Sequence, residues 1–288
     1  MKILLLGKDG QLGRELQASL SKVGMLTAWG RLDADFLNPV QLCDLVLAAK
    51  PDVIVNAAAY TAVDKAETES ELAHSINATA PKLLAQATLD MGCKLIHYST
   101  DYVFDGSGNT AWREESPTEP INSYGKSKLE GEHAIQNSGC QHLIFRTSWV
   151  YAKVGHNFAK TILRLASERD ALSVIDDQIG APTDAAWLAD VTAQVISTPI
   201  FGLFHAAPAG EVSWHGYASY LIAKARVMGF PIKVSPEAIS AVASEAHPTP
   251  AQRPRNSRLD CSKLRATFGI TPPPWQQGID QLLLHLKS

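Results

Sequence analysis

The chain has 288 residues, of which 45% are hydrophobic and 19% charged, and a formal net charge of −3. That is enough apolar material for one large α/β domain or two moderate ones and excludes a disordered or fibrous class, while the acidic balance excludes general nucleic-acid binding, which needs a basic footprint. The cysteines Cys43, Cys93, Cys140 and Cys261 are scattered without a CxxC pair, which suits reduced thiols better than disulfides or a metal site. No stretch approaches the roughly 20 apolar residues of a membrane span, so a cytoplasmic protein with neither membrane nor nucleic-acid partner is expected.

Lys2 to Leu6 is a short apolar run, too short for a signal peptide, and predicts a buried parallel strand. It leads into Gly7-Lys8-Asp9-Gly10-Gln11-Leu12-Gly13 and then a helical pattern with Leu12, Leu16 and Leu20 on one face. Strand, glycine turn and helix are the context of a dinucleotide fingerprint, spaced here GxxGxxG. Glycines allow the turn to tighten and its backbone to approach a pyrophosphate at the helix N-terminus; a ligand-free βα turn is the plainer alternative. The next strand, Met25 to Trp29, ends without an acid, and Arg31 follows it. An acid there would hold a ribose 2′-hydroxyl, whereas an arginine can hold a 2′-phosphate. Arg31 is thus either a solvated surface residue or a determinant favouring NADPH over NADH. Asp35-Phe36 opens a loop that can flank an adenine, and Asn38-Pro39 predicts the start of a helix through Ala49.

Pro51 to Ala59 reads as a buried strand ending in small residues, with Tyr60, Thr61 and Asp64 on the loop beyond. Glu67 to Met91 is mostly helical, kinked or divided at Pro81. Lys94 to Tyr98 is a further buried strand running into Ser99-Thr100-Asp101-Tyr102. Polar residues at the carboxyl end of such a strand face the binding crevice of an open α/β sheet, so Thr100 is placed to meet a substrate oxygen. Asp101 can equally be a turn or cap residue.

Ser123 is the predicted N-cap of a helix carrying Tyr124 and Lys128. Four residues apart on a helix, the two share a face. A phenol has an ordinary pKa of about 10, and a nearby cation lowers it, so the pair makes a compact proton donor for a carbonyl under reduction. The same spacing recurs at Tyr220 and Lys224, but no hydroxyl-ended strand precedes that copy, and core packing is expected for Tyr220. His142 to Thr147 is a strand ending in Ser148-Trp149; Trp149 is either a core aromatic or a sugar-stacking face. Helices are expected at His156 to Glu168, from Asp184 to Val195, at Trp214 to Met228, at Cys261 to Phe268 capped by Asp260, and at Trp275 to Leu286, with strands at Leu172 to Ile175 and Gly202 to Ala206. The proline-rich stretch from Ser235 to Ser257 is a long loop, and such loops are usually functional. In it Arg253 and Arg255 are either solvated or fit to bind a diphosphate.

These residues carry a resemblance. The GxxGxxG, the hydroxyl-ended strand and the downstream YxxxK match the extended short-chain dehydrogenase/reductases in order. The phrases from Val55 to Asp64, Ser99 to Phe104, Arg146 to Tyr151, Gly180 to Thr183 and Arg253 to Ser257 resemble the dTDP-4-dehydrorhamnose reductase family within them. The resemblance implies a Rossmann-type doubly wound parallel sheet, with 1–150 and a returning segment at roughly 184–212 holding the cofactor, and 151–288 forming a smaller α/β sugar-nucleotide lobe. It implies NADPH-dependent reduction, with NADH also accepted, of the C4 ketone of a dTDP-linked 4-keto sugar. Tyr124 would protonate the C4 oxygen, Lys128 would hold the nicotinamide ribose and lower the tyrosine pKa, and Thr100 would take the place usually held by serine. Asp101 and Trp149 would contact the sugar, Gly10, Gln11 and Leu12 the pyrophosphate, and Asp35 and Phe36 the adenosine. Ala59, Tyr60, Thr61 and Tyr98 would line the path to the nicotinamide. Some members form dimers bridged by Mg²⁺ through acidic residues; Glu15 is kept, but the other matching positions hold Ala186 and His285, so no metal is expected and monomer or homodimer stays open. Two other readings are a sugar-nucleotide epimerase or dehydratase, weakened because no Glu follows Asp101, and a binding subunit resembling the regulatory subunit of methionine adenosyltransferase.

Overall fold

The computed structural model describes residues 1–287. In chain order these form β1 (Lys2–Leu6), α1 (Gln11–Leu20), β2 (Met25–Trp29), α2 (Pro39–Ala49), β3 (Val53–Asn56), α3 (Val63–Ala66), α4 (Ser70–His74), α5 (Ala80–Met91), β4 (Lys94–Thr100), α6 (Ser123–Asn137) and β5 (Gln141–Thr147). There follow α7 (Phe158–Glu168), β6 (Leu172–Ile175), β7 (Ile179–Gly180), α8 (Ala185–Val195), β8 (Gly202–His205), β9 (Val212–Ser213), α9 (Trp214–Val227), β10 (Ile239–Val242), α10 (Ser262–Phe268) and α11 (Trp275–Lys287).

The main sheet is parallel throughout, in the order β2-β1-β3-β4-β5-β8. It is the Rossmann-type doubly wound sheet expected. Its apolar strands are covered on both faces, which is why they read as continuous hydrophobic runs. Ile3, Leu5, Val55, Ile96 and Phe145 pack against Leu16 and Leu20 of α1 and Leu188 and Val191 of α8. The alternate side chains Leu4, Leu6, Ile54, Leu95 and Ile144 pack against Leu42 of α2, Leu84 of α5 and Ile135 of α6. A separate core joins α7, α9 and α11 around Tyr217, with Ile162, Leu221 and Ile279 fully or nearly buried. Alongside it lie the short ladders β6–β10 and β7–β9. No described helix is long and apolar enough to cross a membrane.

The winding reverses between β1 and β3, and in such sheets a crevice opens outside the carboxyl ends of the strands there. The stretch 67–91, expected to be kinked or divided at Pro81, is divided into α4, a π-helical turn at Ser75–Thr79 and α5, whose first turn holds Pro81. Pro81 has no N–H to return to the carbonyl of Asn77, and the wider turn ends just before it. The Asn77 side chain in that turn accepts from Tyr60 N at 2.9 Å and donates to the Tyr60 carbonyl at 3.0 Å and to Ser127 Oγ at 3.0 Å. The irregularity thereby ties the loop after β3 to α6.

Candidate active site

The glycine turn forms one end of the crevice. Gly7 has φ +85°, in the left-handed region, and a Cβ there would lie 2.6 Å from Ala58 N. A Cβ on Gly13 would lie 2.0 Å from the Gly7 carbonyl oxygen. Neither position admits a side chain, so α1 starts hard against β1 and its first amides face the crevice. Gly10, the N-cap, supplies no side-chain cap to those amides, which leaves donors of the kind that bind phosphate. A cavity of about 380 Å³ lies beside the turn and is lined by Gly7, Gly10, Arg31, Asp35, Phe36, Ala59, Tyr60 and Thr61 among others. The turn, the amides and the cavity fit a dinucleotide. Gly13→Ala is expected to abolish measurable NADPH binding by fluorescence titration while leaving a folded far-ultraviolet spectrum; retained affinity would show that the turn has slack.

The side chains of Gln11, Leu12 and Tyr98 are engaged within the protein. Gln11 turns towards the second half of the chain, its Oε1 accepting from Ala152 N at 3.1 Å and Asn157 Nδ2 at 3.0 Å. Leu12 packs on the core beneath α1. The Tyr98 ring is buried and its hydroxyl lies 2.7 Å from Thr192 Oγ1 of α8, so only its carbonyl faces the crevice side. The reason is strand alternation: Ile96 and Tyr98 share the α1–α8 face.

The reactive cluster lies where β4 meets α6. The cap of α6 is Asn122 rather than Ser123. Its Oδ1 accepts from Gly125 N at 2.8 Å, while Ser123 bonds Glu67 through its N–H at 2.8 Å. Asn122 holds the extended conformation that a cap requires, and Ser123 is already helical. Tyr124 stands edge-on to Tyr102 with ring centroids 5.6 Å apart. Thr100 Oγ1 lies 3.1 Å from Asp101 Oδ1 and accepts from Tyr102 N at 3.2 Å. Lys128 is 2% exposed; its Nζ donates to the Tyr98 carbonyl at 2.6 Å and lies 3.2 Å from His97 Nε2.

The electrostatics correct one expectation. Burial pushes the Tyr124 phenol above its ordinary value; a hydrogen bond shared with Thr100 opposes that, and Asp101 adds to it. Lys128 does not lower it here, because the amine is engaged on the β4 backbone and is itself driven down to about 8 by burial. Asp101 is pushed up to about 6 by burial, against hydrogen bonds from Ser257 and Thr100. Below its ordinary pKa of 3.8 this carboxyl is neutral whether folded or unfolded. As pH rises towards 6 the unfolded chain ionises first and stability falls. Asp101→Asn is therefore expected to gain stability on the wild type between about pH 4 and pH 7 in urea titrations, and a gap independent of pH would overturn this.

The residues expected on the substrate side are engaged with protein neighbours. Arg253 makes a two-pronged pair with Asp64, Nη1 to Oδ1 at 3.0 Å and Nη2 to Oδ2 at 2.8 Å. Arg255 pairs with Glu245 and Asp177. Trp149 has φ +50°, a left-handed conformation that costs a bulky residue on the order of 1–3 kcal/mol. It stacks on Trp214 at 3.7 Å between centroids. The Tyr220–Lys224 pair lies apart from the crevice: Tyr220 packs against the second core and meets Trp275 edge-on, and both side chains donate to Asp280 of α11, at 2.9 and 3.0 Å. Asn56, His97 and Tyr102 also belong to the site and were not singled out from the sequence. For Asn56 and His97 the available signal was a polar residue interrupting the apolar run of a buried strand, Val53–Asn56 and Lys94–Thr100.

A parallel doubly wound sheet with a glycine turn, a dinucleotide-sized crevice and a Tyr, Lys and Thr gathered at its edge defines a nicotinamide-dependent oxidoreductase of the short-chain reductase type. The family model described as RmlD substrate binding domain matches residues 1–288, and the chain belongs to that family. It is 48% identical over 295 residues to dTDP-4-dehydrorhamnose reductase from Salmonella typhimurium, covering 99% of this chain and 98% of that protein. The crystal structure of dTDP-4-dehydrorhamnose reductase from Bacillus anthracis in complex with NADP superposes with a TM-score of 0.92 at 34% identity, over 99% of both chains. A dTDP-4-dehydrorhamnose reductase structure from Clostridium acetobutylicum gives 0.93 at 36% identity over 100% of both.

Proposed function

We propose that this chain reduces the C4 ketone of dTDP-4-dehydro-L-rhamnose to the alcohol of dTDP-L-rhamnose, with NADPH as reductant. The observation that carries the reading is the meeting of Tyr124 with Thr100 and Asp101 beside the crevice. When bound, the dinucleotide supplies the hydride. The free amides of α1 and the glycine turn would hold its pyrophosphate, Asp35 and Phe36 its adenosine, Arg31 the 2′-phosphate and Lys128 the nicotinamide ribose. Tyr124 gives its hydroxyl proton to the ketone oxygen, and Thr100 donates to the same atom. Donors grouped around the oxygen that gains charge lower the barrier. Asp101 and Trp149 would bound the sugar, and Arg253 offers positive charge to the diphosphate.

The separate cores support a division of labour, with 1–150 and the returning segment near 184–212 serving the cofactor and the remainder of 151–288 the sugar nucleotide. The free thiols suit work in the reducing cytoplasm. The test is to add purified protein to NADPH and dTDP-4-dehydro-L-rhamnose and follow the absorbance of the reduced cofactor. Oxidation that depends on the sugar is expected; none would sink the reading. The same assay with NADH tests Arg31, since equal kcat/KM for both cofactors would remove its role.

A further inference from the structure

Behind the crevice, β3 buries Asn56 and β4 buries His97, each flanked by apolar neighbours in its strand. Asn56 and His97 are register partners, each 1% exposed. Their hydrogen bonds run in one direction. Ala58 N–H donates to Asn56 Oδ1 at 3.1 Å. That contact assigns the amide, because a nitrogen in the same place would set donor against donor. Asn56 Nδ2 therefore faces His97 Nδ1, at 3.1 Å, and an amide nitrogen only donates. Nδ1 must be the accepting ring nitrogen. Burial holds the imidazole neutral, with or without a charge on Lys128. A neutral ring whose Nδ1 accepts carries its proton on Nε2.

That proton points at Lys128 Nζ, 3.2 Å away. An ammonium there would oppose donor to donor, whereas an amine presents a lone pair and keeps N–H bonds for the Tyr98 carbonyl at 2.6 Å. We infer that Asn56 and His97 form a tautomer lock that disfavours the ammonium of Lys128 in the ligand-free protein, making both residues positioning groups for it. The ammonium forms at the expense of the Nε2–H contact. The inference rests on reading Lys128 as part of the reducing site, and it names what sets that residue's charge.

The other charges near Nζ do not undo the lock. Glu132, one turn further along α6, favours the ammonium, but its carboxylate is bound by Arg146 of β5, Nη2 to Oε2 at 2.6 Å. Asp101 and Tyr124 belong to the crevice end, where Thr100 engages both. Asp64 of α3 is taken by Arg253, and His74 of α4 pairs with Glu130 on the exposed side of α6.

The first test is a long-range proton–nitrogen correlation spectrum of isotope-labelled protein without cofactor or sugar, with the His97 signals assigned by their loss in His97→Gln. Protonated Nε2 and bare Nδ1 are expected; an Nδ1–H tautomer or an imidazolium overturns the lock. The second uses Asn56→Asp. One carboxylate oxygen keeps Ala58 N–H and the other now accepts from the ring, so the proton moves to Nδ1 and Nε2 becomes an acceptor for the ammonium. The alkaline limb of the pH profile of kcat/KM should then rise by about one pH unit. A switched tautomer with an unmoved limb would overturn the control of Lys128. If Asn56→Asp does not fold, the wild-type spectrum decides alone. The expected tautomer in a protein that fails to oxidise NADPH would keep the lock and sink the reductase reading instead.

Discussion

Tyr124→Phe is expected to lower kcat with the keto sugar by about 100- to 10,000-fold, the usual range for a lost general acid, while leaving NADPH affinity unchanged. The substitution is conservative for packing. Phenylalanine keeps the edge-on contact with Tyr102, at 5.6 Å between centroids, and removes only the hydroxyl that meets Thr100. Burial raises the Tyr124 pKa, so the group stands protonated at neutral pH and has a proton to give. The raised value makes it a weaker acid, and the hydrogen bond with Thr100 offsets part of that. Single-turnover absorbance traces with saturating NADPH isolate the step. A variant with wild-type turnover would remove Tyr124 as donor, and one that loses cofactor affinity in step with rate would reassign it to binding.

The second large effect is on stability. Arg146 and Glu132 form a buried pair, 4% and 0% exposed, with contacts of 2.9 and 3.1 Å from Nε and 2.6 Å from Nη2. The guanidinium also lies over the Phe104 ring, 5.1 Å from its centroid. Glu132→Gln leaves that cation buried without its counter-charge. Breaking such a pair costs about 3–5 kcal/mol, read as a lower midpoint in denaturant unfolding. A loss below about 1 kcal/mol, typical of an exposed pair, would show that water reaches Arg146. The pair joins α6 to β5, so the helix carrying Tyr124 and Lys128 is clamped to the sheet at that point.

How much of this was legible in the chain depends on the range of each interaction. The strand from Lys2, the glycine turn and the helix after it could be read because apolar periodicity and glycine spacing are local signals. The strand at Gly202 to Ala206 could be read from its short apolar run, and Asn38 and Asp184 cap their helices through side chains within three residues. Caps near competing acceptors were harder. Glu67, distant in the chain, takes Ser123 out of the cap position and leaves it to Asn122. The π turn before Pro81 is stabilised by Tyr60 and Ser127, neither a helix neighbour.

The Tyr124–Lys128 spacing, the hydroxyl of Thr100 and the fingerprint turn are written in residue order, since one helical turn and one strand end bring them together. Their electrostatic state is not. Lys128 is governed by burial, by the Tyr98 carbonyl and by His97, 31 positions earlier. Arg253 meets Asp64 across 189 positions. Trp149 is held against Trp214 by packing of the second core. A pKa and a tautomer depend on which atoms surround a group and how much water is excluded. Those neighbours are assembled by chain segments far apart, and only folding brings them within reach.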